Sequence, residues 1–254
     1  MSVAVPFVGE LFVPRYEPVS SGAWRLSVVP MGFSPGYWSG PQPVSDMAVL
    51  TRDGQSWMST TPMEFESAEI GIRCAQGHVL IFGLGMGWAA AATASVPGVS
   101  AVTVVENDPD VLALHERLAL FAQLPGKARA KLTIVQGDAY TYRPQAPIDL
   151  LMPDIWLPLV NDTRVDEVRL MQANCRAKEV YFWGQEMEIA RHLAAAGRRP
   201  DDSGIAATVA ELGLPLIGLD YPGYADKTAA AARRWMSGRW IGGQAPPWAL
   251  HGGA

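Results

Sequence analysis

From residue 76 to about residue 200 the chain alternates short apolar runs with longer stretches in which apolar residues recur every three or four positions. Val79–Phe82, Val102–Val105, Leu132–Val135, Ile148–Met152 and Glu179–Trp183 are nearly continuous rather than alternating, which predicts strands covered on both faces. Between them, Asn107-Asp108-Pro109 caps a helix to about Leu120 with Val111, Leu112, Leu114, Leu118 and Phe121 as its apolar face, and Val165–Ala173 and Gln185–Ala195 are helical. The alternation predicts an α/β fold, a doubly wound, mostly parallel, Rossmann-like sheet wrapped on both faces.

The two ends of the chain break this pattern. Residues 1–45 carry Pro6, Pro14, Pro18, Pro30, Pro35, Pro41 and Pro43 and predict an extended arm, strand-like only near Leu11–Val13 and Trp24–Val29. Met47–Thr51 and Gln55–Ser59 flank Arg52-Asp53-Gly54, a hairpin signal, so a small β-element precedes the main domain. Thr61-Pro62-Met63-Glu64 predicts a capping box opening a helix to about Cys74, with Glu64, Glu66 and Glu69 on its solvated side. Beyond Gly197 come a helix at Gly204–Leu212, a strand at Pro215–Leu219 and a helix at Ala225–Trp235. The tail has breaks at Gly238, Gly242-Gly243, Pro246-Pro247 and Gly252-Gly253. Trp235, Trp240 and Trp248 with Arg233, Arg234 and Arg239 form either an aromatic-basic contact surface or a packed helix followed by a loose tail. The expected division is an arm and β-element over 1–60, the Rossmann-like domain over 61–225, and a C-terminal helix and tail over 226–254.

Composition narrows the function classes. A net charge of −5 argues against a duplex nucleic-acid partner, which needs a basic surface. Cys74 and Cys175 are isolated, which argues against a disulfide framework or a zinc site and for reduced core residues. Glu10, Arg15 and Glu17 interrupt the stretch a signal peptide would need, so a cytoplasmic protein is expected. Val79–Val96 is nearly all apolar or small and about as long as a membrane span. Three glycines interrupt it, Pro97-Gly98 ends it and no basic flanks frame it, so a buried strand and helix are expected and no membrane contact.

The candidate chemistry lies in that run. Gly83, Gly85 and Gly87 follow the first strand, where the chain must turn sharply and a ligand can approach bare backbone. Glu106, twenty-three positions after Gly83, ends the neighbouring strand, where ribose hydroxyls can donate to it. The third glycine comes two residues after the second rather than three, a spacing that favours an adenosine ligand without a pyrophosphate. The alternative is that the glycines only permit tight packing. Asp138 and Asp154 follow two further strands and would meet Glu106 at the carboxyl edge, whereas Asp149, at the start of its strand, belongs to the opposite edge and is structural. Asp154 is either functional there or a helix cap or solvated strand end. Asp154 with Glu186 lacks a third ligand, so no metal is expected.

VLIFGLGMG, VTVVENDP, IVQGDAY and IDLLMPDIW, in this order, resemble the successive motifs of class I S-adenosylmethionine-dependent methyltransferases over about residues 76–185. The resemblance implies that Gly83, Gly85 and Gly87 pass along the methionine and ribose part of the cofactor. Glu106, with Asn107 beside it, would hold the ribose hydroxyls, and Asp138 with Ala139 would meet the adenine edge. Within that class the likeness is to the spermidine synthase branch, through Ile81 before the glycines and the β-hairpin element ahead of the sheet. There an aspartate in the position of Asp154 helps deprotonate the attacking amine, which implies a catalytic base here; a carboxylate beside a sulfonium can orient a nucleophile and take its proton.

The chain departs from that branch where the amine is recognised. Met86 stands in place of an acid inside the glycine motif and Leu157 in place of a second aspartate, and the expected tyrosine–glutamate pair is not recognisable in Met63-Glu64-Phe65-Glu66. Three readings stay open. One is methyl transfer from S-adenosylmethionine to a small-molecule acceptor, with Phe33, Tyr37 and Trp38 closing over it. Another is aminopropyl transfer from decarboxylated S-adenosylmethionine, with Glu64, Glu66, Glu69 and Asp154 forming an amine pocket if their helix faces the cleft. The third is a non-catalytic nucleoside-binding module. The hairpin and apolar arm could pair across a homodimer.

Overall fold

The computed structural model describes residues 11–250; Pro6, Glu10 and Gly252-Gly253 lie outside the described residues. Strands β1 (Val19–Ser21), β2 (Trp24–Ser34), β3 (Gln42–Arg52) and β4 (Gln55–Ser59) form an antiparallel sheet in sequential order. Helix α1 (Pro62–Cys74) leads into β5 (Gly77–Phe82), α2 (Trp88–Ser95), β6 (Val99–Glu106), α3 (Pro109–Leu118), the short α4 (Gly126–Arg129) and β7 (Leu132–Gln136). Then come β8 (Leu150–Pro153), α5 (Arg164–Cys175), β9 (Glu179–Val180), α6 (Gln185–Ala195), α7 (Asp202–Leu212), α8 (Tyr224–Trp235) and the short α9 (Pro247–Leu250).

β5 to β9 make a five-stranded, all-parallel sheet in the order β7-β6-β5-β8-β9. The chain winds outward from β5 in one direction through β6 and β7, then returns to start again at β8. Right-handed crossovers therefore put the helices of the two halves on opposite faces, and the reversal beside β5 opens a crevice at the carboxyl edge. This is the α/β, doubly wound parallel sheet that the apolar runs predict. β5 is continuous and apolar because both its faces are covered: Val79, Leu80, Ile81 and Phe82 are all buried. The apolar run that matches a membrane span in length divides into β5, the glycine turn and the eight-residue α2, whose Ala90, Ala91, Ala92 and Ala94 are buried. Among the described residues no helix is long and apolar enough to cross a membrane.

The expected arm is largely sheet. Val29↔Met47 and Met31↔Ser45 are registered pairs, and Pro30 falls between them opposite Asp46, whose φ is +49°, so the proline sits at an irregularity of the ladder instead of ending the strand. Leu11–Val13 is not a strand. The Asp53-Gly54 turn has φ values of +49° and +80°, the backbone a tight hairpin needs. Trp24, Leu26, Ala48 and Leu50 join the same core as β5 and α1, so this sheet is packed against the parallel one. It is also pinned to α3: the Trp24 indole donates to Asp108 at 2.8 Å and Arg117 donates to the Ser20 carbonyl at 2.6 Å.

Further expectations are corrected. The Thr61 side chain makes no capping bond, and Glu66 and Glu69 are not solvated: both are buried, Glu66 accepting from the Trp38 and Ser39 amides at 2.8 and 3.0 Å and Glu69 from Arg73 at 2.6 Å. Pro215–Leu219 contributes only a single bridge, Val180↔Leu216, rather than a strand, and β9 is two residues long. The tail is not loose up to residue 250: Trp240 is buried and packs edge-on against Trp248 at 5.5 Å, the Trp235 indole donates to the Tyr37 carbonyl at 3.0 Å, and Arg234 donates to the Gly36 and Ser39 carbonyls.

Candidate active site

The glycine turn is shaped by neighbouring protein atoms as well as by its own backbone. Gly83 has φ +93°, and a Cβ there would lie 2.1 Å from the Asp154 carbonyl oxygen, so the end of β5 and the loop after β8 touch only because the side chain is absent. At Gly85, φ +47°, a Cβ would meet Met58 Sδ at 2.3 Å, and the same sulfur accepts the Met86 amide at 3.0 Å. Met58 of β4 thus covers the turn. Gly87 is the left-handed cap of α2, facing His115. Burial holds the His115 ring below its ordinary pKa, and its Nε2 lies 2.8 Å from the Gly85 carbonyl, so the neutral ring donates there.

Glu106, at the end of β6, is buried at the lip of the cleft. Its Oε2 accepts the Leu84 amide and its Oε1 the Asp108 amide, each at 2.8 Å, so one carboxylate ties the glycine turn to the start of α3. Asp108 caps α3 through the Asp110 amide at 2.9 Å. After β7, Asp138 is exposed, accepting the Tyr140 amide at 3.0 Å, and Ala139 is buried beside it.

One cleft of about 580 Å³ brings together Gly83, Gly85, Glu106, Asn107, Asp138, Ala139 and Asp154. Gly87 is not on its wall; it lines a narrower pocket of about 40 Å³ that runs between the glycine turn and α1. Glu64, Asp154, Trp183 and Met58 line both spaces and mark their junction. Trp24, Trp57 and Arg52 of the N-terminal sheet close the cleft on one side, with the Trp24 and Trp57 rings 5.3 Å apart, and Trp156 stands after Asp154 on the other.

The two acids at the junction titrate abnormally. Burial pushes the Asp154 carboxyl up to about 7, the Arg164 charge only partly opposing it, and among the described residues its side chain accepts no hydrogen bond. Burial, then the Asp154 charge, pushes Glu64 up to about 8. Both carboxyls at the junction are therefore held above the ordinary carboxylate range. Arg164 is fully buried and, among the described residues, has no salt-bridge partner; it lies 4.0 Å over the Trp156 ring and donates to the Pro158 and Trp183 carbonyls at 2.6 and 3.0 Å.

The sequence leaves several of these groups unidentified. Trp24 and Trp57 arrive from a separate sheet, and His115 from the far end of α3, so no local spacing marks them. Trp156 is visible two positions after Asp154 in the last motif. The aromatic trio is misplaced by sequence reasoning: Phe33 is exposed, Tyr37 is buried against Glu186 with its hydroxyl 3.3 Å from Oε2, and Trp38 stacks under Lys227, so none lines the cleft. Among the described residues no group of three His, Cys, Asp or Glu is placed to hold a metal.

No protein-family model and no curated protein matches the chain. Similar solved structures include methyltransferases aligned over less than half of this chain. A glycopeptide N-methyltransferase, MtfA, complexed with S-adenosyl-L-methionine is 24% identical over 44% of this chain and 43% of its own, with a TM-score of 0.35. The methyltransferase domain of a bacterial Hen1 is 18% identical over 41% and 55%, with a TM-score of 0.34. A DhpI–SAM–HEP complex is 18% identical over 43% and 48%, with a TM-score of 0.32. The match therefore spans about half the length of each of these solved chains.

Proposed function

We propose that the chain is an S-adenosylmethionine-dependent methyltransferase acting on a small-molecule acceptor. The observation that carries this reading is the convergence of Glu106, Asp138 and Asp154, the acids following three parallel strands, on one cleft with the glycine turn. The residues fit the cofactor. A carboxylate offers about four acceptor sites, and the Leu84 and Asp108 amides use two of those on Glu106, leaving room for two ribose hydroxyls. Asp138 and Ala139 would border the adenine, Asn107 would stand beside the ribose, and Gly83 and Gly85 would run along the methionine part. Near Gly87, the amides at the start of α2 suit the tail carboxylate. The cleft volume is that of a small-ligand site.

The cofactor supplies an electrophilic methyl group on a sulfonium. What the chain must add is alignment and a proton acceptor. Asp154, raised by burial to about 7 and without a hydrogen-bond donor among the described residues, suits a base toward an acceptor seated between Trp156 and Trp183. Glu64, also raised by burial, adds a second carboxyl beside the acceptor.

One observation favours aminopropyl transfer as a second reading: Glu64 brings an acid from α1 to the tail pocket, where the glycine motif itself has Met86. Decarboxylated S-adenosylmethionine presents only a cationic amine at that point. Calorimetric titration with S-adenosylmethionine, its decarboxylated form and NAD in parallel separates the readings. Micromolar binding of the first, lost on Glu106→Ala, supports methyl transfer. Preference for the decarboxylated form supports aminopropyl transfer, and binding of neither removes both.

A further inference from the structure

Glu167, in the first turn of α5, lies behind the cleft wall and holds two loops with one oxygen. Its Oε2 accepts the Tyr140 hydroxyl at 2.7 Å and the Trp156 indole N–H at 2.5 Å, while its Oε1 accepts the Thr163 hydroxyl. Tyr140 follows Asp138 and Ala139 after β7, and Trp156 follows Asp154 after β8. Both line the cleft, one at its proposed adenine end and one beside the proposed base. Burial works against ionised Glu167, but the Thr163, Tyr140 and Trp156 donors outweigh it and hold the carboxyl below its ordinary range. Behind Trp156, Arg164 packs 4.0 Å from the ring and is itself tied to three carbonyls, so the indole cannot tilt without breaking either contact.

We infer that Glu167 is a positioning residue that couples the two ends of the cleft: a nucleoside seated against Ala139-Tyr140 fixes Trp156 as a wall of the acceptor pocket, so cofactor binding favours acceptor binding. The physical basis is a shared ordering cost. Two donors on one charged oxygen are fixed together, and the ligand that orders the first leaves less entropy for the second to lose. The coupling is reciprocal, as any linkage of binding free energies must be. The consequence for ligands rests on the cofactor reading above, whereas the loop coupling does not.

The test is hydrogen exchange on the full chain, following residues 137–142 and 154–160, with S-adenosylhomocysteine as the probe. In Glu167→Ala both segments should exchange about tenfold faster, the loss expected for charge-assisted bonds. Glu167→Gln keeps an oxygen that can accept both donors but loses the charge, so its rates should fall between those of Glu167→Ala and the wild type in both segments. The probe should slow exchange in 154–160 of the wild type and fail to do so in Tyr140→Phe. Loosening of only one segment, or equal protection of 154–160 by the probe in Tyr140→Phe, overturns the inference. If Glu167→Ala does not fold, Tyr140→Phe without ligand replaces it: faster exchange at 154–160 supports the coupling and an unchanged rate refutes it. A wild type that takes up no probe removes the cofactor reading, and exchange in the unliganded variants still decides whether Glu167 couples the loops.

Discussion

Asp149 and Asp154 flank the same short strand, β8, and their environments are opposite. Asp149, at the amino edge, accepts the His78 amide at 2.7 Å and the Lys178 ammonium at 2.6 Å, and these donors hold its carboxyl below the ordinary range. Asp154, at the carboxyl edge, faces the cleft and among the described residues meets no hydrogen-bond donor, and burial raises it to about 7. The side chains are chemically identical, so the difference comes from the sheet. At the amino edge the entering strands close on one another and supply partners; at the carboxyl edge the reversal beside β5 parts the loops and leaves the acid for a ligand. A carboxyl left unsatisfied at some cost to the fold is what a site to be completed by substrate looks like.

The sharpest test of this contrast is substitution at each end. Asp154→Asn should lower turnover about 10²–10⁴-fold, read as release of S-adenosylhomocysteine with an accepted acceptor, while cofactor affinity stays within about twofold. Asp149→Asn should leave turnover unchanged, and comparable losses at both ends would erase the distinction. Next in size, Glu106→Ala should weaken S-adenosylmethionine binding by about 10–100-fold in calorimetry, because it removes a charge-assisted acceptor.

A smaller effect is the pH profile. Asp154 must be ionised to take a proton, so the rate should climb with pH and level off above about 7, and a flat profile from pH 5 to 9 would remove Asp154 as the base. The smallest effects are on stability, and they have opposite signs. A carboxyl raised in the fold loses stability as pH climbs from the ordinary carboxylate range through about 7, so Asp154→Asn should be more stable than wild type at pH 8 by about 1–3 kcal/mol and not at pH 4. A lowered carboxyl adds stability above the ordinary range and loses it as pH falls, so Asp149→Asn should melt about 2 °C lower at pH 7, with the gap closing in acid. Thermal melts at three pH values decide both.

The parallel sheet was readable because burial on both faces leaves a mark that needs no neighbour: Val79–Phe82 and Val102–Val105 have no polar member that could face water except Thr103, which lies 2.9 Å from His78 Nε2. The acids following the strands were readable for the same reason, since direction along a parallel strand fixes which edge its end occupies. The antiparallel sheet was harder to read. Pro30 and Pro43 resemble breaks, and only the cross-strand register shows that one falls beside the +49° residue Asp46 and the other opposite Phe33. The helix α1 carboxylates were left between a solvated side and a wall of the cleft because their spacing records the helix and not what surrounds it. Glu66 is buried by the loop at Trp38-Ser39 and Glu69 pairs with Arg73, while Glu64 turns to the cleft.

The sequence by itself determined the order and type of the elements from 76 to 200 other than the short α4, the turn at Gly83–Gly87 and the edge at which Glu106, Asp138 and Asp154 gather, because periodicity, backbone freedom and strand direction are local properties. Only the tertiary structure decided that Glu64 stands beside Asp154, that Met58 covers Gly85, that Tyr37 is a core residue, and that Glu167 joins Tyr140 to Trp156. Each of those depends on the approach of elements far apart in the chain, and the desolvation and shared hydrogen bonds that set their chemistry exist only once those elements have packed.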